Sequence, residues 1–291
     1  MTMYTDAEVR AALRRVWPDA ATVETAQVRA LGGGSAPRSF LAVAGRQRYV
    51  LRLPLAGLPP LLDLATEARA MRAAAAAGCA PAVVAVDLEA GLLLTEWRAG
   101  GWTPELVRQP LIMERIVRVL RALHRLDVEL PVYAVAGIAS RYLTELDASA
   151  TRAFRPQERD WADELLRLGR HFDATYPPTA FCHNDLTAAN ILTDPIAARL
   201  IDFEYAGRGT PLLDLASLAG MNDFKEVERR QLLVEYYGAS VAAPDLRDLD
   251  NAIRMLRLLG YFWARVGEER APSSRSPAEL LTSIGTTLGR D

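Results

Sequence analysis

The sequence predicts an α+β fold in which a five-stranded antiparallel sheet precedes a mostly helical C-terminal part. Short runs of apolar and β-branched residues, separated by turn residues, occupy positions 25–53 and return at 83–95. From position 104 onward, most apolar residues recur at helical spacing. A shift to glycine at 95–102 marks the change, so we predict an N-terminal lobe over 1–96 and a C-terminal lobe over 97–291.

Composition narrows the class of protein before any motif is considered. The chain has 291 residues, a net charge of −2 and 50% hydrophobic residues, which is ordinary for a globular protein. The near-neutral charge argues against a nucleic-acid partner or a membrane surface. Residues 1–10 hold no signal-peptide core, and Cys79 and Cys182 have neither CxxC nor zinc-site spacing. We therefore expect a cytoplasmic protein.

Local patterns place the N-terminal elements in order. Residues 5–16 predict an amphipathic helix, and Thr5 and Glu8 in its first turn have the spacing of a capping box. Residues 62–77 are rich in alanine and predict a second helix, which Gly78 ends. The first strand is predicted to end at Leu31, and the others span 39–44, 48–53, 83–86 and 92–95.

The remaining chain reads as helices interrupted once by short strands. Helices are predicted over 104–126, 138–148, 157–175, from 212, and over 227–238, 243–266 and 277–288. Two apolar runs, near 181–182 and 200–201, predict buried strands that lead into polar loops. We interpret Asp214, near the start of the helix from 212, as a structural residue that ties this helix to the first of those loops.

The two loops carry the residues that point to chemistry. The first has the pattern H-x-D-x-x-x-x-N, with His183, Asp185 and Asn190, and Asp202 follows twelve residues later. Phosphoryl transfer from ATP needs one carboxylate at the acceptor hydroxyl, and an amide and a second carboxylate on Mg²⁺. The paired pattern therefore predicts Asp185 as the catalytic group and Asn190 and Asp202 as metal ligands.

The motifs H-N-D-L-x-x-x-N-I-L and I-D-F-E-Y-A resemble those of the aminoglycoside phosphotransferase and choline kinase superfamily. The second motif is most similar to the choline/ethanolamine kinase branch, with its bacterial members, and to thiamine kinases. This resemblance implies a protein-kinase-like bilobal fold, ATP and Mg²⁺ as cofactors, and a small-molecule alcohol as acceptor. It also places His183 beside Asp185 in the catalytic set, as a residue that braces the loop.

In the resembling families, the glycine-rich loop after the first strand covers the nucleotide phosphates. Here that implies Gly33, Gly34 and Ser35, although such a loop is weak evidence alone. Protein kinases carry a lysine on the third strand, whereas Lys225 is the only lysine of this chain. Arg52, in an R-L-P segment, is expected to replace it, and Arg48 is the competing candidate because strand parity does not separate the two.

Three further residues are predicted at the nucleotide site because of where they lie in the predicted fold. Glu67 lies on the helix over 62–77, where kinases carry the glutamate that holds the strand cation. Glu96 and Trp97 lie at the predicted boundary, where kinase-like folds bind adenine through backbone groups. The absent strand lysine leaves one rival from a different class, a catalytically inactive nucleotide-binding module.

For the acceptor, the resemblance implies an aromatic cage around a cationic amine. Glu204 and Tyr205 directly follow Asp202, and Tyr261 and Trp263 lie on the helix over 243–266. We predict all four as acceptor residues, with choline or ethanolamine as the acceptor and thiamine or an aminoglycoside as alternatives. Thr187 stands where eukaryotic choline kinases carry glutamine, which leaves choline itself open. The sequence gives no oligomeric state.

Overall fold

The computed structural model describes residues 4–31, 38–54, 63–101, 103–148, 154, 156–193, 197–238 and 243–267. The predicted phosphate loop with Gly33, Gly34 and Ser35 and the predicted helix over 277–288 lie outside these residues. Among the helices of the described residues, none combines the length and the apolar character that crossing a membrane requires.

The predicted five-stranded antiparallel sheet is confirmed, with strand order β1-β2-β3-β5-β4. Its strands are β1 (Gln27–Leu31), β2 (Ser39–Ala44), β3 (Gln47–Arg52), β4 (Val83–Asp87) and β5 (Leu92–Glu96). Helix α1 (Asp6–Val16) begins with the predicted Thr5–Glu8 capping box and packs Val9 and Leu13 against apolar side chains of the sheet. A four-residue helix, α2 (Ala20–Val23), leads into β1. Helix α3 (Leu64–Ala76) begins two residues later than predicted because the Asp63 carboxylate caps it.

The C-terminal part is mostly helical, as predicted, and contains the larger hydrophobic core. Its helices are α4 (Pro104–Val107), α5 (Pro110–His124), α6 (Val135–Asp147), α7 (Pro156–Thr175), α8 (Pro211–Met221), α9 (Glu226–Tyr237) and α10 (Leu246–Gly267). The single helix predicted over 104–126 is wrong, because Pro110 has no N–H to donate and disfavours helical backbone in the residue before it. Gln109 is accordingly extended, with ψ 134°, and a new helix starts at Pro110.

Two short two-stranded sheets between α7 and α8 present the polar loops. Strand β6 (Ala180–Cys182) pairs with β9 (Gly207–Gly209), and β7 (Ile191–Thr193) pairs with β8 (Ala198–Leu200). A 3₁₀ turn, Ala188–Asn190, lies directly before β7. Because β6 and β9 are paired, the loop that leaves β6 and the loop that enters β9 lie side by side. These two loops contain the predicted catalytic and metal-binding residues.

Candidate active site

The loop after β6 is held from inside by His183. Its side chain is 0% exposed, its Nε2 donates to the Ile201 carbonyl at 2.9 Å, and its Nδ1 accepts the Asp185 N–H at 3.3 Å. Burial is the main cause that lowers the pKa of His183, which favours the neutral ring. With both ring nitrogens used, His183 is a positioning residue for Asp185 rather than a group that reaches a substrate.

Asp214 fixes the same loop from α8. Its buried carboxylate accepts the backbone N–H groups of His183 at 2.9 Å and Asn184 at 2.7 Å, and it contacts His124 Nε2 at 2.9 Å. Burial opposes ionisation of Asp214, but the hydrogen bonds from His124 and from the backbone N–H of His183 outweigh it and lower its pKa. Asn184 adopts a left-handed backbone, with φ 66°, which turns the chain toward Asp185.

Asp185 and Asn190 form a bonded pair at the end of the loop. Asn190 Nδ2 donates to the Asp185 carboxylate at 2.7 Å and to the Asp185 carbonyl at 3.0 Å. The amide nitrogen therefore faces Asp185, and the amide oxygen faces away from it. Burial, with the nearby Asp202 and Glu204 carboxylates, raises the pKa of Asp185 to about 7.

Arg52 connects the sheet to the second loop. Its Nη1 donates to Asp202 Oδ1 at 2.6 Å and its Nη2 donates to the Glu67 carboxylate. Arg48, in contrast, lies over the Trp97 ring at 5.4 Å. Glu67 is only 4% exposed, and burial raises its pKa to about 7 against the attraction of Arg52. Of the two candidate arginines, the structure therefore brings Arg52 to the acidic loop residues.

Asp202 and Glu204 converge, although the segment that carries them is not a strand. Residues 201–203 form no strand, and Asp202 is left-handed with φ 65°. Both carboxylates face Arg38, whose Nη2 lies 2.7 Å from Glu204 Oε2 and 3.8 Å from Asp202 Oδ2. Arg38 was not among the predicted site residues, and its only local signal is that it lies a few residues after the glycine-rich loop.

A cleft of about 560 Å³ separates the sheet from the catalytic loops. Its lining includes the ion-paired side chains of Arg52, Glu67 and Asp202, together with Asn190. Apolar side chains line it as well, among them Val50, Met71, Leu93, Leu192 and Ile201. The cleft therefore combines charged and apolar lining, which suits a nucleotide, because its phosphates are charged and its base is largely apolar.

Glu96 and Trp97, which were predicted to lie at the boundary between the lobes and to bind adenine through backbone groups, line this cleft. Their backbone N–H groups are already used, since Glu96 N donates to the Ala82 carbonyl at 2.9 Å and Trp97 N to the Arg48 carbonyl at 3.0 Å. These two donors are therefore not available to an adenine ring.

A second pocket, of about 250 Å³, opens beside Asp185. Its polar lining includes Asn184, Asp185 and Glu204. Its aromatic lining comes from four separate segments of the chain: Tyr133, Tyr142, Tyr205 and Trp263. We call these four residues the aromatic wall. Tyr205 and Trp263 were predicted, whereas no sequence motif marks Tyr133 or Tyr142.

The structure does not bring Tyr261 to this pocket, which corrects its predicted acceptor role. Tyr261 is 3% exposed, its hydroxyl donates to Glu158 at 2.6 Å, and its ring packs edge-on against Trp161. Trp263, two residues further along α10, is 38% exposed and faces the pocket. Tyr261 is therefore a core residue with a satisfied hydroxyl group.

Comparison with known proteins agrees with this geometry. Residues 27–251 match the model of the phosphotransferase enzyme family. Mouse ethanolamine kinase 2 is 27% identical over 227 residues, which cover 70% of this chain but only 58% of that enzyme. The chain thus spans less than two thirds of the length of this relative.

Two solved structures share the fold over nearly the whole chain. A choline/ethanolamine kinase family protein from Mesorhizobium loti has a TM-score of 0.78 at 24% identity, with 97% of this chain and 93% of that chain covered. Choline kinase LicA from Streptococcus pneumoniae has a TM-score of 0.79 at 16% identity, with 98% and 99% covered. The fold is therefore the protein-kinase-like bilobal fold that the motifs imply, and the chain belongs to the phosphotransferase enzyme family.

Proposed function

We propose that this protein transfers the γ-phosphoryl group of ATP to the hydroxyl group of a small amino alcohol, choline or ethanolamine. One observation carries the proposal: Asp185 lines the aromatic pocket while its hydrogen-bond partner Asn190 lines the nucleotide-sized cleft. A phosphoryl group in the cleft and a hydroxyl group in the pocket would meet at this pair. In-line transfer needs such a meeting point and little covalent chemistry from the protein.

The donor set at the cleft fits a hard divalent cation. Asn190 and Asp202 both line the cleft and offer an amide oxygen and a carboxylate, which are the ligands that Mg²⁺ prefers. When bound there, Mg²⁺ would neutralise charge on the phosphates. Arg52, which Glu67 and Asp202 hold in place, supplies a second, fixed positive charge beside the phosphates. The residues present therefore fit both cofactors, ATP and Mg²⁺.

Asp185 orients the acceptor hydroxyl group and takes up its proton. A pKa of about 7 puts Asp185 near the working pH, where a general base is most effective. The transition state of phosphoryl transfer is loose, so a strong base is not required. His183 and Asp214 act indirectly in this step, because they fix the backbone on which Asp185 stands.

The pocket supports a small cationic acceptor over a large one. Its volume of about 250 Å³ falls below the roughly 300–1,000 Å³ of pockets for drug-sized ligands. Aromatic faces attract an ammonium group, and Glu204 adds a negative charge beside them. An aminoglycoside carries several amines and would need more acidic groups than Asp185 and Glu204 provide. The named activities of the mouse and Streptococcus pneumoniae relatives favour the same class of acceptor.

The test is acceptor-dependent release of ADP from Mg-ATP, with choline, ethanolamine, thiamine and kanamycin as acceptors. We expect turnover with choline or ethanolamine. An Asp185→Asn variant should turn over these acceptors more slowly by a factor on the order of 10³ or more. An Asp127→Asn variant is the matched control, because Asp127 is fully exposed and lies outside the site. Binding of Mg-ATP without ADP release in the presence of any of these acceptors would instead identify an inactive nucleotide-binding module.

A further inference from the structure

Glu204, which lines the acceptor pocket, is already paired with a positive charge. Arg38 reaches across from the start of β2, and its Nη2 donates to Glu204 Oε2 at 2.7 Å. Both side chains are largely withdrawn from water, with 23% of Arg38 and 14% of Glu204 exposed. Because the pair is partly desolvated, it is stronger than an ordinary surface ion pair.

Arg38 is the main counter-ion of Glu204. Arg52 is the other cation near this carboxylate, but its Nη1 lies 3.9 Å from Glu204 Oε2 and donates at 2.6 Å to Asp202 instead. The second Arg52 nitrogen is held by Glu67. Arg38 thus compensates the negative charge that Glu204 presents beside the pocket.

Building on the proposed function, we propose that Arg38 is a specificity-determining residue that competes with a cationic acceptor for Glu204, the carboxylate that Arg38 pairs with and that lines the acceptor pocket. An acceptor ammonium beside Glu204 competes with the Arg38 guanidinium group for the negative charge of this carboxylate. A guanidinium group that moves away from Glu204 remains beside Asp202, which already lies 3.8 Å from its Nη2. Arg38 therefore weakens the binding of cationic acceptors and leaves neutral acceptors of the same shape unaffected.

Choline and its neutral isostere 3,3-dimethylbutan-1-ol separate these effects in isothermal titration calorimetry. An Arg38→Met variant should bind choline about three- to tenfold more tightly than the wild type, in the range of partly buried charge pairs, with unchanged affinity for the isostere. Arg29→Met removes the same charge from an exposed position on β1 and should leave both affinities unchanged. Arg38→Lys, which keeps the charge, should resemble the wild type.

The gain in choline affinity that Arg38→Met produces should depend on Glu204. In a Glu204→Gln background, Arg38→Met should no longer tighten choline binding, because no carboxylate remains for which Arg38 and the choline ammonium could compete. Equal or weaker choline binding by Arg38→Met, or a gain that survives Glu204→Gln, would overturn the proposal. So would a matching gain for the isostere, since a change of pocket shape would explain it.

These readouts are independent of the proposed function. Acceptor-dependent ADP release by the wild type, together with unchanged choline affinity in Arg38→Met, leaves the kinase activity intact and refutes only the role of Arg38. Tighter choline binding by Arg38→Met in a protein that releases no ADP with any acceptor refutes the kinase activity and supports the role of Arg38. Absence of choline binding by every variant refutes the role of Arg38.

Discussion

Replacement of Asp185 by asparagine should stabilise the fold at alkaline pH while it removes turnover. The pKa of Asp185 rises from its ordinary value of 3.8 to about 7, because burial and the neighbouring Asp202 and Glu204 disfavour its ionised form. At about 1.4 kcal/mol for each pKa unit, ionised Asp185 lowers the free energy of unfolding by about 4 kcal/mol relative to a neutral side chain. An asparagine at this position avoids that penalty and can still accept from Asn190.

The upward shift of the Asp185 pKa determines the pH range in which the variant is more stable than the wild type. Between pH 4 and pH 7, roughly, the folded state holds a proton on Asp185 that the unfolded state releases, so wild-type stability falls as pH rises. The advantage of Asp185→Asn should therefore be complete above about pH 7 and shrink to nearly nothing near pH 4. This stabilisation is the trade-off expected where a catalytic group is held in an unfavourable environment.

Urea unfolding at pH 8 and at pH 4.5, without nucleotide or divalent cation, measures this effect directly. As a contrast, Asp173→Asn should lower stability at pH 8, because Asp173 accepts the backbone N–H groups of Val135 and Ala136 at the start of α6. An Asp185→Asn variant that is no more stable than the wild type at pH 8, or equally stabilised at both pH values, would refute the reasoning.

Three further outcomes are expected. Arg52→Met should lower the free energy of unfolding by about 3–5 kcal/mol, since it leaves Glu67 buried without a counter-ion, whereas Arg48→Met should change it little in the same urea titration. Trp263→Ala should raise the acceptor KM and leave kcat nearly unchanged in steady-state assays, while Tyr261→Phe should leave KM unchanged and destabilise the core by about 1–3 kcal/mol. Chelation with EDTA should abolish turnover and leave calorimetric choline binding intact, and added Mg²⁺ should restore activity.

The catalytic loop was predictable because its chemistry is local. His183, Asp185 and Asn190 lie within eight residues, and the backbone of one loop suffices to bring them together. The strands of the sheet were also predictable, since each is a short run of apolar and β-branched residues bounded by turn residues. The break before Pro110 was visible as a proline, but helical spacing on both sides of it hid the separation into two helices.

The composition of the aromatic wall could not be predicted in full from the sequence. Successive residues of an α-helix point about 100° apart, so residues two positions apart, such as Tyr261 and Trp263, face nearly opposite directions. A cluster of aromatic residues on α10 therefore does not tell which member faces the pocket. Tyr133 and Tyr142 reach the pocket from other segments, and their contact with it depends on tertiary packing alone.

Arg38 was missed for a related reason. Its partner Glu204 lies 166 positions away, and nothing in the segment around Arg38 indicates an acidic neighbour. The pairing exists because the sheet and the second catalytic loop face each other across the cleft. Contacts of this kind follow from the docking of the two parts of the chain, which local patterns do not encode.

The most direct test follows the phosphoryl group itself. Phosphorus NMR of the wild-type protein with Mg-ATP and choline should show the γ-phosphoryl resonance disappear while a phosphomonoester and ADP appear in equal amounts. The Asp185→Asn variant should leave the ATP resonances unchanged over the same period. Release of inorganic phosphate in place of a phosphomonoester, or equal product formation by both proteins, would contradict the account.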